Sequence, residues 1–367
     1  MRDGKFRADQ VGSLLRPASL LAARRARDAG EITGGELRAA EDEAITAAVL
    51  AQQATGIDVL TDGEFRRRDF RSGFAQAVDG IEMSAWDMPW HSAAGTTRLR
   101  SIAFTATARL RQRGRLAGGE VAFVRSLTSA PVKATLISPG FLAERFWKDG
   151  VTSKAYSSRE EFAAEVAAIT RAEITALIAD GVRYIQLDNP GYGAYLGSHA
   201  GHDRAGFERV LIADIAAVQG VERPDGVTVG LHVCRGNQSS RWMGEGDYEP
   251  VAEELFARLP VDRLLLEYDD ERAGGFAPLR FVPRGTVAVL GLVSSKTGGL
   301  EPAGSLRARI DEAAKYVAHE DLALSPQCGF ASIAEGGNLL TEAEQYAKLA
   351  LVADVARSVW GDAGPND

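Results

Sequence analysis

The chain has 367 residues, 45% of them hydrophobic and 25% charged, with a net charge of −8. That length and apolar content suit one large α/β domain or two smaller ones, and the acidic balance argues against nucleic acid or an anionic membrane as partner. The opening residues have no apolar core, and no stretch reaches the roughly 18 apolar residues of a membrane span, so a cytoplasmic location is expected and a homo-oligomer is left open.

Read in chain order, short apolar runs alternate with longer stretches of helical period. A run at 8–13 precedes a helical pattern over 35–55 and a second run at 57–62. Residues 66–126 then hold too much chain for one crossover, and strand-like 98–109 and 119–126 suggest an insertion with a β-hairpin that could roof a site. Runs at 132–138 and 183–188 flank a helical pattern over 158–180, and a Gly/Tyr-rich loop follows at 189–202. Helical patterns at 203–219, 249–259, 304–319 and 341–357 alternate with runs at 227–233, 263–268, 286–293 and 322–326. Eight such units predict a single (β/α)8 TIM barrel spanning 1–367, with the insertion after strand 2 and a disordered tail at 361–367.

Catalytic groups of such barrels sit at the C-terminal strand ends. Those ends here carry Ser13, Asp62, Glu64, Ser138, Asp188, His232, Cys234, Glu267, Ser294, Ser295 and Cys328. Any one of them alone could be a turn or a helix cap. The two cysteines say more. His232 stands two residues before Cys234, and strand residues i and i+2 share a face, so an imidazole and a thiol converge. Cys328 and Glu267 from two further strand ends complete one nitrogen, two sulfurs and one oxygen, a donor set for Zn2+ with a displaceable carboxylate. The plainer alternative is a core histidine with small apolar thiols.

Five ordered motifs carry a family resemblance: Val-Gly-Ser-Leu-Leu-Arg-Pro (11–17), Thr-Asp-Gly-Glu-Phe-Arg-Arg (61–67), Ile-Gln-Leu-Asp-Asn-Pro (185–190), His-Val-Cys-Arg-Gly-Asn (232–237) and Leu-Ser-Pro-Gln-Cys-Gly-Phe (324–330). From about residue 8 to 355 the chain resembles the cobalamin-independent methionine synthase family, and its short single-barrel members more than the long enzymes. The resemblance implies that His232, Cys234, Glu267 and Cys328 ligate zinc. It also implies that Ser13, Glu64 and Asp188 hold the amino-acid part of homocysteine, the carboxylates taking its ammonium and the serine region its carboxylate. A salt bridge of Glu64 to Arg66 or Arg67, and a loop cap by Asp188, are the competing structural roles.

The implied reaction is methyl transfer to L-homocysteine, forming methionine through a zinc-bound thiolate, with Glu267 the ligand that yields. Methyltetrahydrofolate (5-methyltetrahydrofolate) is the implied donor, weakened by three departures. This length leaves no room for the second barrel of the long enzymes, the loop 291–300 has no histidine, and Asn189 stands where they have glutamate. A methylcobalamin-carrying protein or another methylated donor therefore stays open. Trp90, Trp147 and Trp242 could stack on a pterin. His91, His199 and His202 are candidate acids by loop position, while His319 falls in a helical pattern. Two other readings compete. An epoxyalkane:coenzyme M transferase would need a cationic clamp, for which Arg16, Arg67, Arg235 and Lys296 are at hand, and a non-catalytic barrel would use its zinc only as a staple.

Overall fold

The computed structural model describes residues 6–196, 203–331, 333–334 and 337–361. The Gly/Tyr-rich loop beyond Leu196, with His199 and His202, and the tail beyond Gly361 lie outside the described residues. A two-stranded antiparallel hairpin, β1 (Val78–Ser92) and β2 (Gly95–Gln112), precedes six parallel strands. These are β3 (Lys133–Ile137), β4 (Tyr184–Asp188), β5 (Thr228–Val233), β6 (Arg263–Glu267), β7 (Val287–Val293) and β8 (Leu322–Pro326), each paired with its sequence neighbour. Every residue of the six is buried, as a sheet covered outside and filled inside requires. The helices are α1 (Ala18–Asp28), α2 (Gly34–Thr55), α3 (Ser72–Ala77), α4 (Gly118–Leu127), α5 (Pro139–Phe146), α6 (Arg159–Ala179), α7 (Arg204–Val218), α8 (Glu249–Arg258), α9 (Ala303–Ala313) and α10 (Glu342–Trp360). Among the described residues, no helix is long and apolar enough to cross a membrane.

The first two predicted strands are present only as extended segments. Ala8 bridges Leu324 of β8, and Leu60 bridges Val132 just before β3. Asp58 N–H donates to the Ala8 carbonyl at 3.0 Å, which joins the two segments and closes the (β/α)8 circle. Side chains take the hydrogen bonds that a ladder would make. Ala8 N–H donates to Asp58 Oδ2, Gln10 N–H to Asp9 Oδ1 and Thr61 N–H to the Gln52 side-chain oxygen, and Pro131 has no N–H to offer.

The insertion also differs from expectation. Its hairpin pairs 78–92 with 95–112, and residues 119–126 lie in helix α4 rather than a strand. Val121 and Val124, three apart, face the core, and the Glu173 carboxylate accepts from Ala117 and Gly118 N–H at the start of α4, at 3.1 and 3.0 Å. A helix N-terminus favours such an acid. The first hairpin strand is exposed through its middle and interrupted by Gly80 and Pro89, so no apolar run marks it.

At the N-terminal end of the barrel, fully buried Asp9 binds Lys133 Nζ at 2.6 Å, Arg263 Nη2 at 3.0 Å and the Tyr184 hydroxyl at 2.7 Å. Burial alone would raise the Asp9 carboxyl, but Lys133 and Arg263 hold it below its usual range. Burial in turn draws the Lys133 ammonium down to about 8, against the pull of Asp9. Asp9→Asn removes the charge that both cations face and should cost about 3–5 kcal/mol in urea unfolding. Lys133→Met, which leaves Asp9 with Arg263 and Tyr184, should cost less. Equal midpoints for wild type and Asp9→Asn would contradict this.

Candidate active site

Strand ends bring the four predicted donors together at the C-terminal mouth. The ligand atoms of His232, Cys234, Glu267 and Cys328 lie within 4.8 Å of one another, and all four residues are buried. Cys234 and Cys328 Sγ are 3.3 Å apart, although 94 residues separate them in the chain. The hydrogen bond from Cys328, together with His232, draws the Cys234 thiol below its ordinary range, against burial. The same contact and burial push the Cys328 thiol upward. Gly236, with φ at +92°, turns the chain so that its N–H reaches Cys234 Sγ at 3.2 Å, a conformation that side chains resist.

His232 Nδ1 stands 3.3 Å from the Leu265 carbonyl. Donation there leaves Nε2 as an acceptor, and Nε2 is buried with no hydrogen-bond partner. Such a fixed tautomer is what a metal-ligating imidazole needs. Glu267 Oε1 accepts from Arg235 N–H at 2.6 Å and Oε2 from Gln327 Nε2 at 3.4 Å. Ser295 donates to the Gln327 side-chain Oε1 through both N–H and Oγ, which turns the Gln327 amide nitrogen toward Glu267. Burial raises the Glu267 carboxyl, with Lys296 the main opposing charge. Lys296 Nζ is itself buried without a hydrogen-bond partner. Orphaned imidazole nitrogen, two thiols and a carboxylate together suit a soft divalent ion.

The predicted substrate residues line the same cavity. Ser13, Glu64 and Asp188 face it beside His232, Cys234 and Cys328. Glu64 Oε1 accepts from Arg67 Nη1 at 3.2 Å and Thr135 Oγ1 at 2.9 Å, while Oε2 is buried and unpartnered. The expected ion pair with Arg67 thus exists and engages one oxygen only; Arg66 pairs with Asp42 instead. Glu64 adopts φ of +59°, a left-handed backbone that costs roughly 1–2 kcal/mol for a non-glycine residue. Asp188 Oδ1 accepts from Gln186 Nε2 at 2.8 Å. Burial, and then Glu64, raise the Asp188 carboxyl to about 8. Ser13 sits against Gly329, where a Cβ would meet its Oγ at 2.0 Å, so only glycine lets the loop after Cys328 approach.

Other strand-end residues serve the framework. Ser138 caps α5, and with Asn189 it binds buried Asp214. Asp62 accepts from Glu64 N–H, and Ser294 Oγ donates to Asp269. Of the three predicted tryptophans, Trp90 lines the cavity, whereas Trp147 packs on Phe162 and Trp242 lies under Arg272. His91 contacts Thr96 at the hairpin's end and does not line this cavity, and His319 lies in a short 3-10 turn beyond α9. Trp86, Met88 and Arg145 also line it and were not anticipated. The hairpin is held over the mouth by the pair His91–Trp242 and by Ser101 Oγ donating to Gln238 at 2.9 Å.

Fold and mouth together define a (β/α)8 barrel enzyme. The chain belongs to the cobalamin-independent synthase family, whose catalytic-domain model matches residues 6–357. It is 40% identical to the uncharacterized protein YxjH of Bacillus subtilis over 98% of this chain and 96% of that one. It is 26% identical to a methionine synthase of Pyrococcus abyssi over 95% of this chain and 91% of that one. Among solved structures, a proposed vitamin-B12-independent methionine synthase from Listeria monocytogenes superposes with a TM-score of 0.76 at 31% identity, covering 97% of this chain and 98% of that one.

The tetrad should take up cobalt(II) with sulfur-to-metal absorbance that saturates at a single equivalent. Cys234→Ala and Cys328→Ala should each lose about half of that absorbance, one of the two thiolates being gone; a variant that keeps it all would remove the mutated cysteine from the donor set.

Proposed function

We propose that this protein is a zinc-dependent methyltransferase that methylates L-homocysteine to methionine, with 1–367 as one catalytic domain. The observation that carries the reading is one cavity lined by three members of the four-donor cluster and by two carboxylates that each keep one oxygen uncommitted. His232, Cys234, Glu267 and Cys328 would hold the zinc, which supplies a lowered thiol pKa and hence a nucleophilic thiolate at neutral pH. Relatives named methionine synthase support the same activity.

The chain's own groups do the rest. Glu64 and Asp188 take the substrate ammonium, which needs both compensating charge and hydrogen-bond acceptors away from water. Ser13 and the adjoining backbone take the carboxylate. Glu267 would be the donor to yield, because Arg235 N–H and Gln327 Nε2 already hydrogen-bond its oxygens. Holding sulfur and methyl in line removes much of the barrier. 5-Methyltetrahydrofolate is the donor this reading favours, its flat rings suited to the wall formed by Trp86 and Trp90 under the hairpin.

A sulfonate acceptor fits less well, because three of its four expected cations are spent and the fourth, Lys296, is unpartnered but does not line the cavity. Arg16 is spent on the carbonyls of Leu14, Glu64 and Ala331, Arg67 on Glu64 and Glu120, and Arg235 on the Gly246 and Arg272 carbonyls. A zinc that only staples the barrel would not need two half-satisfied acids beside it.

Two experiments test the proposal. Zinc-loaded protein, given homocysteine and a panel of methyl donors, should form methionine with at least one donor, and Cys328→Ala should abolish it; turnover that survives this substitution would refute the thiolate mechanism. The second uses L-methionine, which brings no thiol proton. Near pH 7 the empty site keeps Asp188 mostly protonated, since its carboxyl titrates at about 8. An incoming ammonium favours the carboxylate, so binding should release a proton, and affinity should rise as pH rises toward 8. Calorimetry in buffers of different ionisation enthalpy reads this directly, and buffer-independent heats would contradict it.

A further inference from the structure

We propose that Gln186, its amide held in one orientation by Lys133, is the positioning residue that aims Asp188 at the substrate ammonium. The inference rests on the homocysteine reading and goes a step deeper into the barrel than the cavity wall.

Tyr184, Gln186 and Asp188 alternate along β4 and so share its inner face. They form successive rungs from the barrel floor to its mouth. Lys133, whose Cα pairs with that of Tyr184 on the neighbouring strand, donates from Nζ to Gln186 Oε1 at 2.8 Å while bound to Asp9. An ammonium can only donate, so the amide oxygen must face Lys133. The amide nitrogen then faces the other way, donating to the Val11 carbonyl and to Asp188 Oδ1, both at 2.8 Å. A flipped amide would set its nitrogen against Lys133 and its oxygen against Asp188, repelling both. Charge at the floor therefore decides which group Asp188 meets from below.

The consequence lies at the mouth. Gln186 engages Oδ1 and leaves Oδ2 for a ligand, just as Arg67 and Thr135 engage Glu64 Oε1 and leave Oε2. Gln186 is completely buried and does not line the cavity. It reaches the cavity through Asp188 and through the carbonyl of Val11, and only the first of these meets the ammonium.

The test compares two thiols on zinc-loaded protein by calorimetry, with metal content and thermal unfolding checked alongside. 4-Mercaptobutanoate has the thiol and carboxylate of homocysteine but no ammonium. Gln186→Leu removes the donor to Asp188. Gln186→Glu also withdraws it yet keeps an acceptor for Lys133, so it guards against misfolding of the first variant. Both should weaken homocysteine binding about 10- to 100-fold, the range for losing a hydrogen bond to a charged group, and change 4-mercaptobutanoate binding by less than about threefold. An equal loss for both thiols would show a merely structural role and overturn the proposal, as would no loss for either. Wild-type protein that fails to prefer homocysteine removes the homocysteine reading itself. Wild-type preference retained in both variants overturns Gln186 alone.

Discussion

A buried carboxylate holds together the part of the barrel where backbone pairing is weakest. The segments around residues 8 and 60 make bridges rather than strands, and the circle they close would otherwise depend on a few hydrogen bonds. Asp9 sits in that gap and reaches Lys133 on β3, Tyr184 on β4 and Arg263 on β6. One acid between two cations is costly to desolvate, but its attractions are strong in a dry interior. The barrel therefore trades ladder bonds for an ionic core, and through Lys133 and Gln186 that core extends up to Asp188.

The mouth is organised on the opposite principle. At the floor each oxygen of Asp9 is satisfied, whereas at the mouth Glu64 Oε2, His232 Nε2 and Lys296 Nζ are buried without partners. Unpaired buried polar atoms are expensive, and Glu64 adds a left-handed backbone. At the mouth a ligand can relieve such costs. Hydrogen bonds from Lys133 through Gln186 to Asp188 join the ionic floor to the mouth.

How much of this could be read from the chain varied with how far apart the partners lie. Six of the eight runs became strands because burial on both faces leaves a continuous apolar signature. The segment 119–126 misled, since Val and Phe in a short run suit either structure and only Glu173, more than forty residues on, caps it as a helix. The strand 78–92, exposed through its middle, left no apolar trace. Trp86 faces the cavity only because the hairpin folds back over the mouth. Gln186 read as an ordinary member of the motif, for nothing local says that Lys133 would dictate its amide.

By itself the sequence determined the donor types and their placement at strand ends. Side-chain alternation along a strand is a local geometric rule, so His232 beside Cys234, and Glu267 and Cys328 at other strand ends, could be foreseen. Tertiary structure alone decided that these donors meet within 4.8 Å and that Glu64 and Asp188 each keep one oxygen uncommitted. It also decided that Arg16, Arg67 and Arg235 are already engaged. Whether a polar atom is satisfied depends on groups brought from distant parts of the chain, and only barrel closure brings them.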